Sequence, residues 1–265
     1  MIIIKTKQEI EIIHEGGKKL SKVLKQVLAE VKAGVTTETL ETLACDLIER
    51  AGGRPAFKGY KQSHHDEPYP TALCVSINDE VVHAPALPSR TIKEGDVVSI
   101  DVGMEFPFNK ASERKQRGLF TDMAATVAVG KVDERVQQLI KATKKSLELA
   151  IEKVKPGVSL YEIGKTIEDY IEKQGFKVVK DLVGHGVGKE IHEDPMVPNY
   201  PMEQCRKILL KPGMVIAIEP MVNIGRHHII TAPDGLSIKT ADGSISAHFE
   251  HTVAVTETGH IVLTE

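Results

Sequence analysis

Tryptophan is absent from this 265-residue chain, and aromatic residues make up only 4% of it. Proteins that stack nucleobases on aromatic platforms need more rings than that, so no specific nucleic-acid partner is expected. Cysteine is nearly as scarce. Cys45, Cys74 and Cys205 form no CxxC pair, and an odd count does not make a disulfide framework. A reducing compartment is the natural setting, and a cytoplasmic location is expected. No apolar run approaches the roughly 18 residues that would cross a bilayer, so no membrane role is expected. The opening Met1-Ile2-Ile3-Ile4-Lys5 is too short for a secretory signal and lacks its basic lead. Charge of one sign is lacking too: 34 Lys and Arg stand against 37 Asp and Glu, for a net charge of −3 and a pI of 6.4. That balance fits neither a nucleic-acid coat nor a membrane-surface binder.

What is present is a chain 41% hydrophobic and 27% charged, the composition of a packed globular protein. No linker or low-complexity block divides it, so a single domain over 1–265 is expected. Thr6-Lys7-Gln8-Glu9 has the capping-box pattern. After it Ile10, Ile13, Gly17, Leu20, Leu24, Val27 and Val31 recur at helical spacing, which predicts a helix ending near Ala33-Gly34. A second helix is expected over 37–51, a loop over 55–70, and short strands over 71–77 and 80–82 around Asn78-Asp79. Strands are expected at 97–102 and 121–129, with a polar, basic excursion over 104–118 between them. Helices follow at 133–154 and 159–175. Strand-like runs close the chain at 176–182, 214–218, 228–231, 245–255 and 260–263.

The chain echoes itself. Val31-Lys32-Ala33-Gly34-Val35-Thr36 resembles Val154-Lys155-Pro156-Gly157-Val158-Ser159, and the run from Lys93 to Asp101 resembles the run from Lys211 to Glu219. Each half reads helix, helix, then a strand ending in a carboxylate. A second carboxylate follows in each, Asp122 before Met-Ala-Ala-Thr-Val-Ala-Val and Glu250 before His-Thr-Val-Ala-Val. The period is too long for a solenoid. It predicts a pseudo-twofold α+β domain, with two helix pairs covering a curved, mainly antiparallel sheet and a site on the axis.

Asp101 and Glu219 end strongly apolar runs, where an unpartnered carboxylate is costly. Clustered acids repel, and some must take up protons unless a cation compensates. The strand runs around these four acids offer no Arg or Lys. Multivalent cations answer for all four together. Gly184-His185-Gly186-Val187-Gly188 presents His185 in what reads as a tight, open turn, and His is a common metal ligand. Four carboxylates and one histidine make an oxygen-rich set, unlike a closed structural zinc site. It suits two divalent cations such as Mn, Fe, Co or Zn, lying roughly 3.5–4 Å apart with an oxygen between them. His83 and His192 are placed to donate to a substrate. His64, His65, His227, His228, His248, His251 and His260 read as surface or satisfied residues, although His248 and His251 flank Glu250.

The motifs Cys74-Val75-Ser76-Ile77-Asn78 with His83, Gly95 to Gly103 around Asp101, Thr121-Asp122, Gly184-His185-Gly186 with His192-Glu193-Asp194-Pro195, Ile218-Glu219-Pro220-Met221 and Phe249-Glu250-His251-Thr252-Val253 resemble those of type I methionine aminopeptidases. The resemblance runs from the first helix to the last strand. It implies the pita-bread (creatinase/aminopeptidase) fold and removal of methionine from nascent polypeptide N-termini, preferentially before a small second residue. It implies two divalent metal ions held by Asp101, Asp122, His185, Glu219 and Glu250, with Asp122 and Glu250 bridging. Glu219 would act as general base, His192 would support the oxyanion, and His83 would bond the scissile amide. Cys74 and Tyr69 would line the methionine pocket. A cytoplasmic monomer with transient ribosome contact is expected. Proline-directed relatives of the same fold usually carry a large N-terminal domain, for which the position of Cys74 leaves no room.

Three features depart from the family pattern. Twenty residues separate Asp101 from Asp122, and Lys110, Arg114, Lys115 and Arg117 among them fit a solvated hairpin or a contact with ribosomal RNA. The loop over 58–70 is long. Ile191 and Leu236 stand where relatives often place aromatic pocket walls.

Overall fold

The computed structural model of the protein describes residues 1–61, 67–107 and 118–265. The Thr6 hydroxyl accepts from Glu9 N at 3.2 Å while the Glu9 carboxylate accepts from Thr6 N at 2.8 Å, which starts helix α1, Lys7–Ala29. One face of α1 buries Ile13, Leu20, Leu24 and Val27. Burying each leucine fully stabilises the fold by about 2 kcal/mol. The helix stops short of the expected end, because apolar spacing persists beyond it: Val31 stays buried in the following turn. Helix α2 spans Thr37–Arg50 and is capped by Thr36. Helices α3 (Glu134–Glu152) and α4 (Leu160–Lys173) repeat the arrangement, with Ser159 capping α4.

Fifteen strands are described: β1 Arg54–Pro55, β2 Leu73–Ile77, β3 Glu80–Val82, β4 Val97–Phe106, β5 Leu119–Ala128, β6 Lys177–Val178, β7 Gly184–Gly186, β8 Glu193–Val197, β9 Val215–Ile218, β10 Met221–Asn223, β11 Ile229–Thr231, β12 Ile238–Thr240, β13 Ser246–His248, β14 Glu250–Val255 and β15 His260–Val262. Nine of them form one sheet in the order β1-β4-β5-β14-β9-β7-β8, with β2 on β4 and β15 on β14. Its pairings are antiparallel. One core cluster joins α1 and α2 to β2 and β4, and a second joins α3 and α4 to β9 and β14. The two clusters are the two halves of the echo, and they meet where β5 pairs β14. The expected α+β architecture is therefore the one found.

Several expected boundaries are corrected. Strand β4 runs on to Phe106 into the stretch read as a polar excursion, because Met104 and Phe106 are buried, Phe106 close against Gly16 of α1. Lys110, Arg114, Lys115 and Arg117, like His64 and His65, lie outside the described residues. The run 176–182 is strand only at β6. The run 245–255 breaks at Phe249 into β13 and β14, which belong to different sheets. Strands β1, β8, β10 and β12 match no expected strand; each is at most five residues long, too short for a periodic signal.

Candidate metal centre

Sheet register assembles the acids. Cys74 of β2 pairs Asp101 of β4, Asp101 pairs Ala124 of β5, and Ala124 pairs Glu250 of β14. Paired residues share a face of the sheet, and so do residues two apart on one strand, so Asp122 joins the row. Glu219 lies one step past the Ile218–His251 pair and faces Glu250. His185 comes from β7, which pairs β9. Its Nε2 lies 3.6 Å from Glu219 Oε1 and 3.9 Å from Asp122 Oδ2. Its Nδ1 is 2.9 Å from the Gly186 carbonyl, which can only accept, so Nδ1 is the donor there and Nε2 is the ring atom turned toward the acids.

Such a centre needs cations. Asp101, Asp122 and Glu250 are buried, and among the described residues only histidines come within ion-pair distance of any of the four acids. Asp101 Oδ1, Asp122 Oδ1 and Glu250 Oε1 are buried without a hydrogen-bond partner. Burial pushes the Asp122 and Glu219 carboxyls up to about 7. It drives Asp101 and Glu250 well above the usual carboxylate range, with repulsion from neighbouring acids adding to it. Ligand atoms converge in three overlapping groups: Asp101 with Asp122 and Glu250, His185 with Glu219 and Glu250, and Asp122 with His185 and His192, all within 4.8 Å inside each group. Glu250 belongs to the first two groups and Asp122 to the first and third. The donor set fits a pair of divalent cations, which would replace the protons the acids otherwise retain.

The other expected residues surround this cluster. His192, on the loop between β7 and β8, sets its ring 4.5 Å from that of His185 and 5.0 Å from that of Tyr60. Surrounding protein and the nearby His185 and His83 push its pKa down to about 3. His83 follows β3 at φ +60°, a conformation that side chains other than glycine rarely adopt. Desolvation, with His248 and His185 close by, lowers its pKa to about 4. Both rings are therefore neutral at pH 7. The Tyr69 hydroxyl donates to Cys74 Sγ at 3.2 Å, and burial beside Asp101 raises the Cys74 thiol well above its usual range. Phe57, Tyr60, Tyr69, Cys74 and Ile191 share one apolar cluster beside the acids. Ile191 thus packs in the cluster that holds Tyr69 and Cys74, whereas Leu236 sits half-buried in a turn bonded to Asp234 and outside that cluster.

The glycines around His185 act differently from the expectation. Residues 184–186 are strand, not turn. A Cβ on Gly184 would lie 2.4 Å from the Ala217 carbonyl, and one on Gly186 would lie 2.2 Å from that of Asp194. Glycine is needed there so that β7 can lie close to both neighbours. Gly186→Ala is expected to destabilise the protein by about 1–3 kcal/mol, read as a lowered melting temperature. An unchanged melting temperature would contradict the close packing.

Reading the sequence missed three residues. His248, 1% exposed, points Nε2 at Glu219 Oε2 across 3.5 Å, and burial lowers its pKa to about 4. The signal was available. Aligning Thr126-Val127-Ala128-Val129 with Thr252-Val253-Ala254-Val255 makes His248, not Glu250, the counterpart of Asp122. The contacts obey that symmetry: Thr252 Oγ1 accepts from Asp122 N at 3.0 Å and donates to its carbonyl at 2.8 Å. Thr126 Oγ1 does the same for His248 at 2.9 and 2.7 Å. Glu250 pairs its own counterpart, Ala124, on the pseudo-axis. Arg90 binds Glu80 through Nη1 at 2.6 and 2.8 Å and the Val75 and Pro85 carbonyls through Nη2 at 2.6 and 2.9 Å, clamping the turn that carries His83. Glu41 of α2 accepts from Ala72 N and Leu73 N and so fixes the strand bearing Cys74. Neither contact leaves a local pattern in the sequence.

A curled pseudo-twofold sheet with these ligand groups at its centre defines a metalloenzyme of the pita-bread class. The match narrows it: the model of metallopeptidase family M24 covers residues 11–257. Methionine aminopeptidases of Aquifex aeolicus and Bacillus subtilis are 45% and 40% identical to this chain, over 98% and 100% of it and 97% and 99% of their own lengths. The crystal structure of methionine aminopeptidase from Thermotoga maritima superposes with a TM-score of 0.90 at 41% identity, over 100% of both chains. The chain belongs to metallopeptidase family M24 and, within it, to the methionine aminopeptidases. A prolidase from Pyrococcus horikoshii, 23% identical with a TM-score of 0.75 over 100% of this chain and 64% of its own, shares the fold alone.

Proposed function

We propose that the chain, as one catalytic unit over 1–265, removes methionine from polypeptide N-termini as a cytoplasmic monomer, preferentially when the second residue is small. The observation that carries this is Glu250 standing in two ligand groups at once, as a bridging carboxylate between two cations must. Asp101, Asp122 and Glu250 would hold one divalent cation, and His185, Glu219, Glu250 and Asp122 the other. Bound there, Mn, Fe, Co or Zn supplies Lewis-acid polarisation and acidifies a water molecule.

The chain's own groups do the rest. Glu219 takes the proton of the attacking water and returns it to the leaving amine. His192, neutral, donates to the oxyanion that develops on the scissile carbonyl, and His83 hydrogen-bonds the scissile amide nitrogen. Tyr69, Cys74 and their apolar neighbours receive the methionine side chain. No helix among the described residues is long and apolar enough to cross a membrane, which suits access to N-termini emerging from the ribosome.

The test is hydrolysis of a Met-Ala-Ser peptide with Mn²⁺, Fe²⁺, Co²⁺ or Zn²⁺ added in turn, with an Ala-Pro peptide assayed beside it. Free methionine is expected from the first and no cleavage of the second. Reversed selectivity, or no turnover under any of the four metals, would sink the reading.

A further inference from the structure

A buried ion pair beside His192 joins the histidine loop to the other end of the chain. Glu193, next in sequence to His192, turns inward with its side chain 3% exposed. Its Oε2 forms an ion pair with Lys5 Nζ, whose side chain is 1% exposed. Its Oε1 accepts from the backbone N–H groups of Lys189 and Glu190, the latter at 2.9 Å. One carboxylate therefore ties off the loop 188–193 from inside, and the buried ammonium of Lys5 holds that carboxylate.

Lys5 is itself anchored. Its backbone N–H bonds the Gly213 carbonyl at 2.8 Å. Its stem passes under Gly188, φ +138°, where a Cβ would lie 2.6 Å from Lys5 Cε. Gly188 in turn accepts from Phe120 N of β5 at 2.8 Å, two residues before Asp122. The N-terminal segment, the histidine loop and the acid-bearing strand form one connected unit. A buried ion pair of this kind is weak evidence for net stability, because desolvation offsets most of its attraction. It does specify a position. Glu193 spends both its oxygens on Lys5 and the loop backbone, and the mechanism above uses neither residue.

We propose that Lys5 is a positioning residue for His192: the Lys5–Glu193 pair sets the loop so that the His192 ring stands over the centre beside His185. The proposal rests on the reading that His192 acts on the scissile carbonyl. A misplacement of about 1 Å at such a group can cost about 100-fold in rate.

The experiment uses Lys5→Met, Glu193→Gln and the double variant, each with His192 present and with His192→Ala. The double variant keeps the shape and the Oε1 acceptor and leaves no lone buried charge, so it folds even if a single variant does not. The double variant is expected to lose about tenfold or more in kcat on Met-Ala-Ser, with KM within about twofold and metal content unchanged. In the His192→Ala background it should cost nothing further. In ring-labelled NMR spectra of the Zn²⁺-loaded protein the His192 signal should shift while that of His248 stays. An equal loss of rate in both backgrounds, or an unmoved His192 signal, overturns the positioning role. If the signal moves but His192→Ala alone keeps the wild-type rate, the positioning stands and the catalytic reading of His192 is what fails.

Discussion

Turnover of Met-Ala-Ser by the Glu219→Ala protein is expected to fall by about 10²- to 10⁴-fold in kcat, the range general acid–base catalysis supplies. Glu219 differs from the other three acids in one respect that suits a proton shuttle. Asp101, Asp122 and Glu250 are buried, while the Glu219 side chain keeps 13% of its surface. Its two oxygens face different histidines, Oε1 toward His185 at 3.6 Å and Oε2 toward His248 at 3.5 Å. Its backbone is held as well, the carbonyl accepting from Asn199 Nδ2 at 3.0 Å. The carboxylate is thus fixed and partly open, as a group that passes a proton between water and amine must be. Glu219→Gln separates its two proposed tasks, since the amide keeps a ligand oxygen but cannot shuttle a proton. Glu219→Gln should therefore lose most of kcat while retaining metal by elemental analysis, whereas Glu219→Ala should lose both. Either variant keeping more than about a tenth of wild-type kcat would remove Glu219 from the chemistry.

The acids were legible in the sequence for a reason that does not extend to their supports. Asp101 and Glu219 stand out because an apolar strand advertises any carboxylate placed in it, and repetition of the pattern makes the oddity systematic. Helix boundaries at Thr6, Thr36 and Ser159 were legible because caps are local chemistry. Gly184 and Gly186 were misread because a glycine needed for close strand approach and one needed for a turn look alike in sequence. Arg90, Glu41 and Lys5 were invisible for another reason. Each meets a partner that the fold alone brings near, and Lys5 reaches Glu193 across 188 positions of chain. His248 falls between: its counterpart relation to Asp122 was written in the Thr-Val-Ala-Val repeat, but a histidine standing in for a carboxylate broke the pattern of acids on which the two halves were matched.

Chelation of the metals is expected to lower the melting temperature by an amount that grows with pH. The sign follows from the four acids. Their folded-state pKa values without cations are raised, to about 7 for Asp122 and Glu219 and well above the usual carboxylate range for Asp101 and Glu250. In the unfolded chain they fall near 4. Between about pH 4 and 7 the folded metal-free protein therefore binds more protons than the unfolded one, so its stability declines as pH rises. Cations hold the same carboxylates ionised and abolish that decline. His83, His192 and His248 act oppositely, because their depressed pKa values make stability fall as pH drops below about 6.5. All three lie outside the proposed ligand set, so they weigh similarly on both forms and largely cancel in the difference. The quantity to measure is thus the melting temperature of the Mn²⁺-loaded protein minus that of the chelated protein, at constant ionic strength. It should be small at pH 5 and widen by roughly 5–15 °C at pH 8, since several kcal/mol is at stake and each kcal/mol moves a domain of this size by about 2–4 °C. A flat difference across that range would mean that the acids are not jointly neutralised by cations, and the reading of the centre would fall with it.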